Sequence, residues 1–263
     1  DADVVVLGVP SQSMRETLRE VAKHIRAWVP LISLSKGFEQ GTKLRMTEVI
    51  AGELPGHPAG VLTGPNLARE IMGGFAAASV IAMEDDVIVR ELQDIFKTGL
   101  FRVYTNSDVV GCELGGALKN VMAIAAGMGD GLGAGENTRS AVITRALAEV
   151  TRLGVAMGGR PETFPGLTGM GDLIATCTSP QSRNRHVGFE LGKGRKIADI
   201  LADMKQVAEG VKSSRTVLQL GEQYGVEMPI ASEVNGVIND GRSAQEAFRG
   251  LLRRSAGSEA DPG

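Results

Sequence analysis

Residues 3–9 read D-V-V-V-L-G-V, a β-branched apolar run closed by Pro10 and Ser11, which is the pattern of a strand buried on both faces. Met14, Leu18, Val21, Ile25 and Trp28 then recur at spacings of three and four, predicting one helix with a single apolar stripe. A second short run, Leu31–Leu34, stops at Ser35-Lys36-Gly37. Helical spacing resumes over 44–50 and breaks at Pro55-Gly56, and Val61-Leu62 leads into Thr63-Gly64-Pro65-Asn66. A short helix, an apolar run at 78–83, a helix over 87–96 and a last strand over 101–104 follow. Strand and helix alternate with short connections, the signature of a parallel sheet covered by helices, a doubly wound α/β domain.

The texture changes near 106–108. Beyond it helical periodicity dominates, so residues 1–107 are expected to form part of a doubly wound (Rossmann-like) sheet domain and residues 108–263 an all-α domain. The segment 113–130 is nearly free of polar side chains; between Leu114 and Met128 only Lys119 and Asn120 interrupt it. Residues 138–157 carry Ile143, Leu147, Val150 and Leu153 at helical spacing with Arg145, Glu149 and Arg152 interleaved, the pattern of an amphipathic structural helix. Thr216–Leu220 reads as a further helix, and the tail 255–263 as disordered.

Composition narrows the function. With 28 Lys and Arg against 31 Asp and Glu, the formal charge is −3, which argues against a dedicated nucleic-acid binder because phosphate neutralisation needs a basic excess. Cys112 and Cys177 form no C-x-x-C pair and the three histidines are scattered, so neither a disulfide framework nor a metal site is expected. Uninterrupted apolar runs fall well short of the roughly 20 residues of a membrane span, so a soluble protein of a reducing cytoplasm is expected. Glycine is 35 of 263 residues, about twice its usual share of roughly 7%, which suggests tight strand-to-helix turns and close helix packing.

Ligands of doubly wound sheets lie beyond the carboxyl ends of the strands, which singles out Pro10-Ser11, Ser35-Lys36-Gly37 and Gly64-Pro65-Asn66. Each is also an ordinary turn sequence. On a helix, Lys119 shares its face with Gly115, Met122, Ala123 and Ala126. Burial disfavours an ammonium, so a lysine in such a setting is a candidate proton carrier; a side chain that snorkels to water is the bland alternative. Asp172 follows three glycines in G-L-T-G-M-G-D and could equally be a helix cap. Gln181-Ser182-Arg183-Asn184-Arg185 is the densest donor cluster, and a guanidinium suits phosphate because its planar fork donates two parallel bonds. Gly129-Asp130-Gly131-Leu132-Gly133-Ala134 matches a dinucleotide pattern but follows a helical segment instead of a buried strand, and is rejected as a cofactor loop.

Six segments in order resemble one family: S-K-G-F-E at 35–39, T-G-P-N-L-A-R-E at 63–70, G-A-L-K-N at 116–120, G-M-G-D-L at 169–173, S-R-N-R at 182–185 and V-A-E-G-V at 207–211. The chain resembles the bacterial-type NAD(P)-dependent glycerol-3-phosphate dehydrogenases from its start to about residue 252. The resemblance implies a cytoplasmic oxidoreductase, often a homodimer, that interconverts dihydroxyacetone phosphate and sn-glycerol 3-phosphate with NAD or NADP for glycerophospholipid synthesis. It implies that Lys119 is the catalytic proton carrier. Lys36, Gly64, Asn66, Asp172, Ser182, Arg183 and Asn184 would join it at the substrate, and Lys36, Ala68, Arg183, Val207 and Glu209 would meet the cofactor. Many relatives carry Thr or Ser where this chain has Asn66. Hydride reaching the substrate's C2 builds charge on oxygen, which Lys119 can neutralise, with Asp172 tuning that lysine and Arg183 and Asn184 clamping the phosphate.

Members of the family begin with a strand, a glycine-rich turn and further units, on the order of 70 residues. None of these is recognisable here. The expectations are weak NAD(P) binding by these 263 residues and an exposed apolar edge at Val4–Val9 that pairs or aggregates. Two other readings stay open: a related dehydrogenase of another small acid or sugar phosphate, and a non-catalytic remnant that binds a small phosphate or a partner protein.

Overall fold

The computed structural model describes residues 2–204 and 206–253; the predicted disordered tail lies outside them. The described residues form two compact units, one within 1–117 and 158–172, the other within 118–157 and 173–253.

The first unit holds β1 (Val5–Leu7), α1 (Met14–Val21), β2 (Leu31–Ser33), α2 (Met46–Glu53), β3 (Ala59–Thr63), α3 (Ala68–Met72), β4 (Ala77–Ala82), α4 (Asp86–Phe96) and β5 (Phe101–Asn106). The five strands form one sheet in sequence order. Pairing is parallel at β1/β2, β2/β3 and β4/β5, with Val6 opposite Ile32, Ile32 opposite Gly60 and Val80 opposite Tyr104. The β3/β4 pair is antiparallel, with Leu62 opposite Ile81. The connection between them, residues 64–76, contains only the five-residue helix α3.

Helices cover both faces, as a doubly wound sheet requires. Leu7 and Leu31 pack with Met14, Leu18, Val49 and Ile50 of α1 and α2. Ile32, Leu62, Ile81 and Val103 pack with Val89 and Leu92 of α4. Val61, Val80 and Ala82 meet Val109 and Cys112 at the start of α5 (Val109–Gly131).

Two expectations for this unit fail locally. β1 is three residues at the sheet edge with Val6 44% exposed, so it is not buried on both faces. The helix of 14–28 ends at Val21, continues as a 3₁₀ turn over Ala22–His24, and is extended by Ile25. Pro30 disfavours helix at the residue before it, and the chain turns into β2 through Trp28 at φ +69°, leaving the indole 77% exposed instead of on the stripe.

The remainder is helical: α6 (Glu136–Ala156), α7 (Asp172–Thr178), α8 (Arg183–Gly192), α9 (Ile197–Asp203), α10 (Glu209–Tyr224), α11 (Pro229–Asn239) and α12 (Ala244–Leu252). At 23 residues, α5 is long and apolar enough by composition to cross a membrane, yet its apolar window is 94% buried inside the protein. The polar face predicted for α6 is interrupted by Glu149, which is 2% exposed. Its carboxylate accepts from the amides of Ile230 at 2.7 Å and Ala231 at 3.4 Å, capping α11, whose first residue is a proline.

Candidate active site

The first unit gathers Lys36, Gly64, Asn66 and Asp172. Lys36 lies in the turn after β2 and is half-buried. Its ammonium donates to the Gly64 carbonyl at 2.7 Å and pairs with Asp172 Oδ2 at 2.6 Å. Asp172 opens α7 and is 2% exposed, so it is a buried ion-pair partner of Lys36 as well as a helix start. Gly64 sits at φ +131°, a conformation open to glycine, and its missing side chain leaves room for Ser79 on β4.

Asn66 is oriented by a short relay. Ser79 Oγ donates to the Thr63 carbonyl at 2.8 Å, so it must accept from Asn66 Nδ2 at 2.9 Å. Asn66 Oδ1 is buried and has no hydrogen-bond partner among the described residues, and the same holds for Thr63 Oγ1 one residue before Gly64. Ala68, at the start of α3, is exposed.

The second unit holds Lys119, Ser182, Arg183, Asn184, Val207 and Glu209. Lys119 is 6% exposed, which excludes the snorkelling alternative. Its ammonium donates to Thr176 Oγ1 at 2.5 Å, and Thr176 is itself 7% exposed on α7. Asn120 follows, also buried; its Oδ1 accepts from Asn184 Nδ2 at 2.9 Å, while Asn184 Oδ1 accepts from the Gly210 amide at 3.0 Å. Asn184 thus ties α8 to α5 and α10. Ser182 caps α8, accepting from the Arg185 amide at 3.2 Å. Arg183 is exposed and donates to the Val207 carbonyl at 2.9 Å, which places the predicted cofactor residues Arg183 and Val207 in contact. Glu209 begins α10.

Thr176 and Asn120, which contact the predicted site residues Lys119 and Asn184, were not among the candidates chosen from the sequence. A signal for Thr176 existed: it stands four residues after Asp172, the helical repeat that puts side chains on one face. The only signal for Asn120 was its being the second polar residue in an apolar helix. Elsewhere, burial pushes the Cys112 thiol up to about 12, which makes it an inert core group. Among the described residues no cluster of His, Cys, Asp and Glu could hold a metal ion. A depression of about 800 Å³ at the α8–α9 and α11–α12 turns contains none of the predicted site residues.

The class this fold and these residues define is that of nicotinamide-dependent dehydrogenases with a sheet domain and a helical domain. Residues 1–89 match the family described as NAD-dependent glycerol-3-phosphate dehydrogenase N-terminus, and residues 108–249 match its C-terminus counterpart. The chain is 66% identical to glycerol-3-phosphate dehydrogenase [NAD(P)+] 2 of Sphingopyxis alaskensis over 262 residues, all of this chain and 79% of the relative. It is 57% identical to the Mycobacterium avium glycerol-3-phosphate dehydrogenase [NAD(P)+], covering 98% of this chain and 76% of that one. The crystal structure of glycerol-3-phosphate dehydrogenase from Coxiella burnetii superposes with a TM-score of 0.92 at 36% identity, over 96% of this chain and 78% of that chain. The protein belongs to the NAD-dependent glycerol-3-phosphate dehydrogenase family.

Proposed function

We propose that this protein interconverts sn-glycerol 3-phosphate and dihydroxyacetone phosphate with NAD or NADP, that Lys119 is the proton carrier, and that the product feeds glycerophospholipid synthesis in the cytoplasm. The observation that carries the reading is the Lys119 ammonium, 6% exposed and donating to Thr176 at 2.5 Å. An ammonium is expensive to bury unless it is paired or hydrogen-bonded, so its place in the core is a built one. Its hydrogen bond to Thr176 holds the ammonium in place, and the reading assigns this group to the substrate's C2 oxygen. As charge builds on that oxygen during ketone reduction, Lys119 Nζ gives up its proton; in alcohol oxidation it takes one back.

When bound, a nicotinamide cofactor would supply or accept the hydride at C2. The donor set fits such a dianionic, amide-bearing group: Lys36 offers a cation at the carboxyl end of β2, Arg183 an exposed guanidinium, and the orphaned Asn66 Oδ1 an acceptor at the end of β3. Lys36, Ala68, Arg183, Val207 and Glu209 would hold it. Lys36, Gly64, Asn66, Asp172, Ser182, Arg183 and Asn184 are assigned to the substrate, where cationic and amide groups orient a phosphate remote from the reacting carbon. Asn184 is held there by Asn120 and the Gly210 amide, which engage one hydrogen and one lone pair of its side chain.

The test is Lys119→Ala, assayed as oxidation of reduced cofactor by dihydroxyacetone phosphate, with glycerol 3-phosphate binding measured by calorimetry. The expected result is a loss in kcat of about 10²–10⁴-fold, as for removal of a general acid, with binding partly retained. Near-normal turnover refutes the assignment.

A further inference from the structure

We propose that Asp130 and Arg185 are positioning residues for this reaction, holding α8 in the register on α5 that brings Asn184 to Asn120. The proposal rests on the functional reading above. Its first support is the α5/α8 contact. Gly127 and Gly131 on α5 face Gly188 and Gly192 on α8, each pair four residues apart. A Cβ on Gly127 would overlap the Arg185 carbonyl, one on Gly131 the Phe189 carbonyl, and one on Gly188 the Ile124 carbonyl. The helices therefore touch backbone to backbone.

Such smooth faces allow close approach, but they offer few side-chain knobs to resist sliding. Asp130 supplies the missing stop. Its carboxylate, 5% exposed, takes Arg185 on Oδ2, from Nε at 2.8 Å and Nη2 at 2.6 Å. Oδ1 takes Arg139 of α6, with Nε and Nη2 both at 2.8 Å. A planar guanidinium held by two bonds fixes direction as well as distance.

The residue before Arg185 is Asn184, whose amide is pinned at both ends, to Asn120 at 2.9 Å and to the Gly210 amide at 3.0 Å. Hydrogen bonds of that length fail when a donor moves by more than about 0.5 Å. A small slide of α8 therefore releases Asn120, the neighbour of Lys119 in sequence, and displaces Arg183. Asp130 itself is eleven residues beyond Lys119 on the same helix, about 16 Å along its axis, so its influence on the substrate runs through α8.

Arg139 provides an internal control, since it binds the same carboxylate but tethers α6. The experiment compares Arg185→Gln, Arg185→Lys, Asp130→Asn and Arg139→Gln for Tm, for calorimetric Kd of sn-glycerol 3-phosphate, and for KM and kcat with dihydroxyacetone phosphate. Arg185→Gln and Asp130→Asn are expected to weaken Kd and raise KM about tenfold, the value of roughly one hydrogen bond, with kcat changed less than about threefold. Arg185→Lys, which keeps one charged bond, recovers most of the affinity. Arg139→Gln lowers Tm comparably with Kd within about twofold of the parent. Equal losses of affinity in Arg139→Gln and Arg185→Gln, or an unchanged Kd in Arg185→Gln, overturn the positioning role alone. An unsubstituted chain that binds no glycerol 3-phosphate overturns the functional reading together with it.

Discussion

Replacing Thr176 by valine keeps the shape of the side chain and removes only the hydroxyl that receives Lys119 Nζ at 2.5 Å. Both partners are less than 10% exposed, so water cannot readily replace the lost acceptor. A hydrogen bond to a charged group contributes about 1.5–3 kcal/mol. The ammonium must point one hydrogen at the substrate oxygen, and its bond to Thr176 helps to fix that orientation. If the lost energy is expressed in the transition state, kcat falls roughly ten- to hundredfold. The assay is steady-state reduction of dihydroxyacetone phosphate, with KM expected to change far less than kcat because the bond aims the proton carrier without contacting the phosphate. Thr176→Ser, which restores the hydroxyl, should recover most of the rate. A Thr176→Val enzyme with kcat within twofold of the parent would show that Lys119 needs no such guide, and the reasoning would fail.

Glu149→Ala strips the cap from α11 and leaves the amides of Ile230 and Ala231 buried without their carboxylate; the expected loss is about 2–4 kcal/mol, read from urea unfolding, with Glu149→Gln losing less because it keeps an acceptor. Arg15 and Arg19 hold the Glu53 carboxyl, and Arg15 that of Glu39, below the ordinary glutamate value of 4.5. Depressed carboxylates stabilise the fold above that value and lose the contribution as pH falls through the folded pKa, so Tm should drop on acidification below about 4.5 more steeply in the parent than in Arg15→Met. Parallel curves would contradict this. Cys112, with its thiol near 12, should resist iodoacetamide in the folded protein at pH 8 and react once unfolded; rapid native alkylation would disprove its burial.

Periodicity located the five strands and the helices between them, because strand and helix differ in the repeat at which apolar residues return. The departures lie where tertiary geometry overrides a local pattern. Val4–Val9 is uniformly apolar, yet only Leu7 in β1 is buried, since Leu7 faces α1 and α2 while Val6 points to the opposite face. Trp28 continued the arithmetic of the α1 stripe, but Pro30 two residues later imposed an extended approach to β2. The reversed β3/β4 pair was illegible because a run of apolar residues looks the same whichever way its strand points.

The site was legible to the degree that single residues carried an anomaly. Lys119 stood out as a charge in an apolar helix, and its burial followed. Its partner did not, because Thr176 lies 57 residues away and a threonine inside a helix is unremarkable in composition. Asp130 shows the same limit more sharply. As sequence it sits in G-D-G-L-G-A, where the glycines suggested a phosphate loop and the aspartate nothing. In the fold one of those glycines, Gly131, joins Gly127 in the groove that admits α8, and the aspartate receives Arg185 of S-R-N-R from 55 residues away. Two motifs that looked separate, one rejected and one assigned to the substrate, are the two halves of one helix contact. The glycines permit the approach and the ion pair sets its register, so a sequence rule that scores either motif alone cannot assign what they do together.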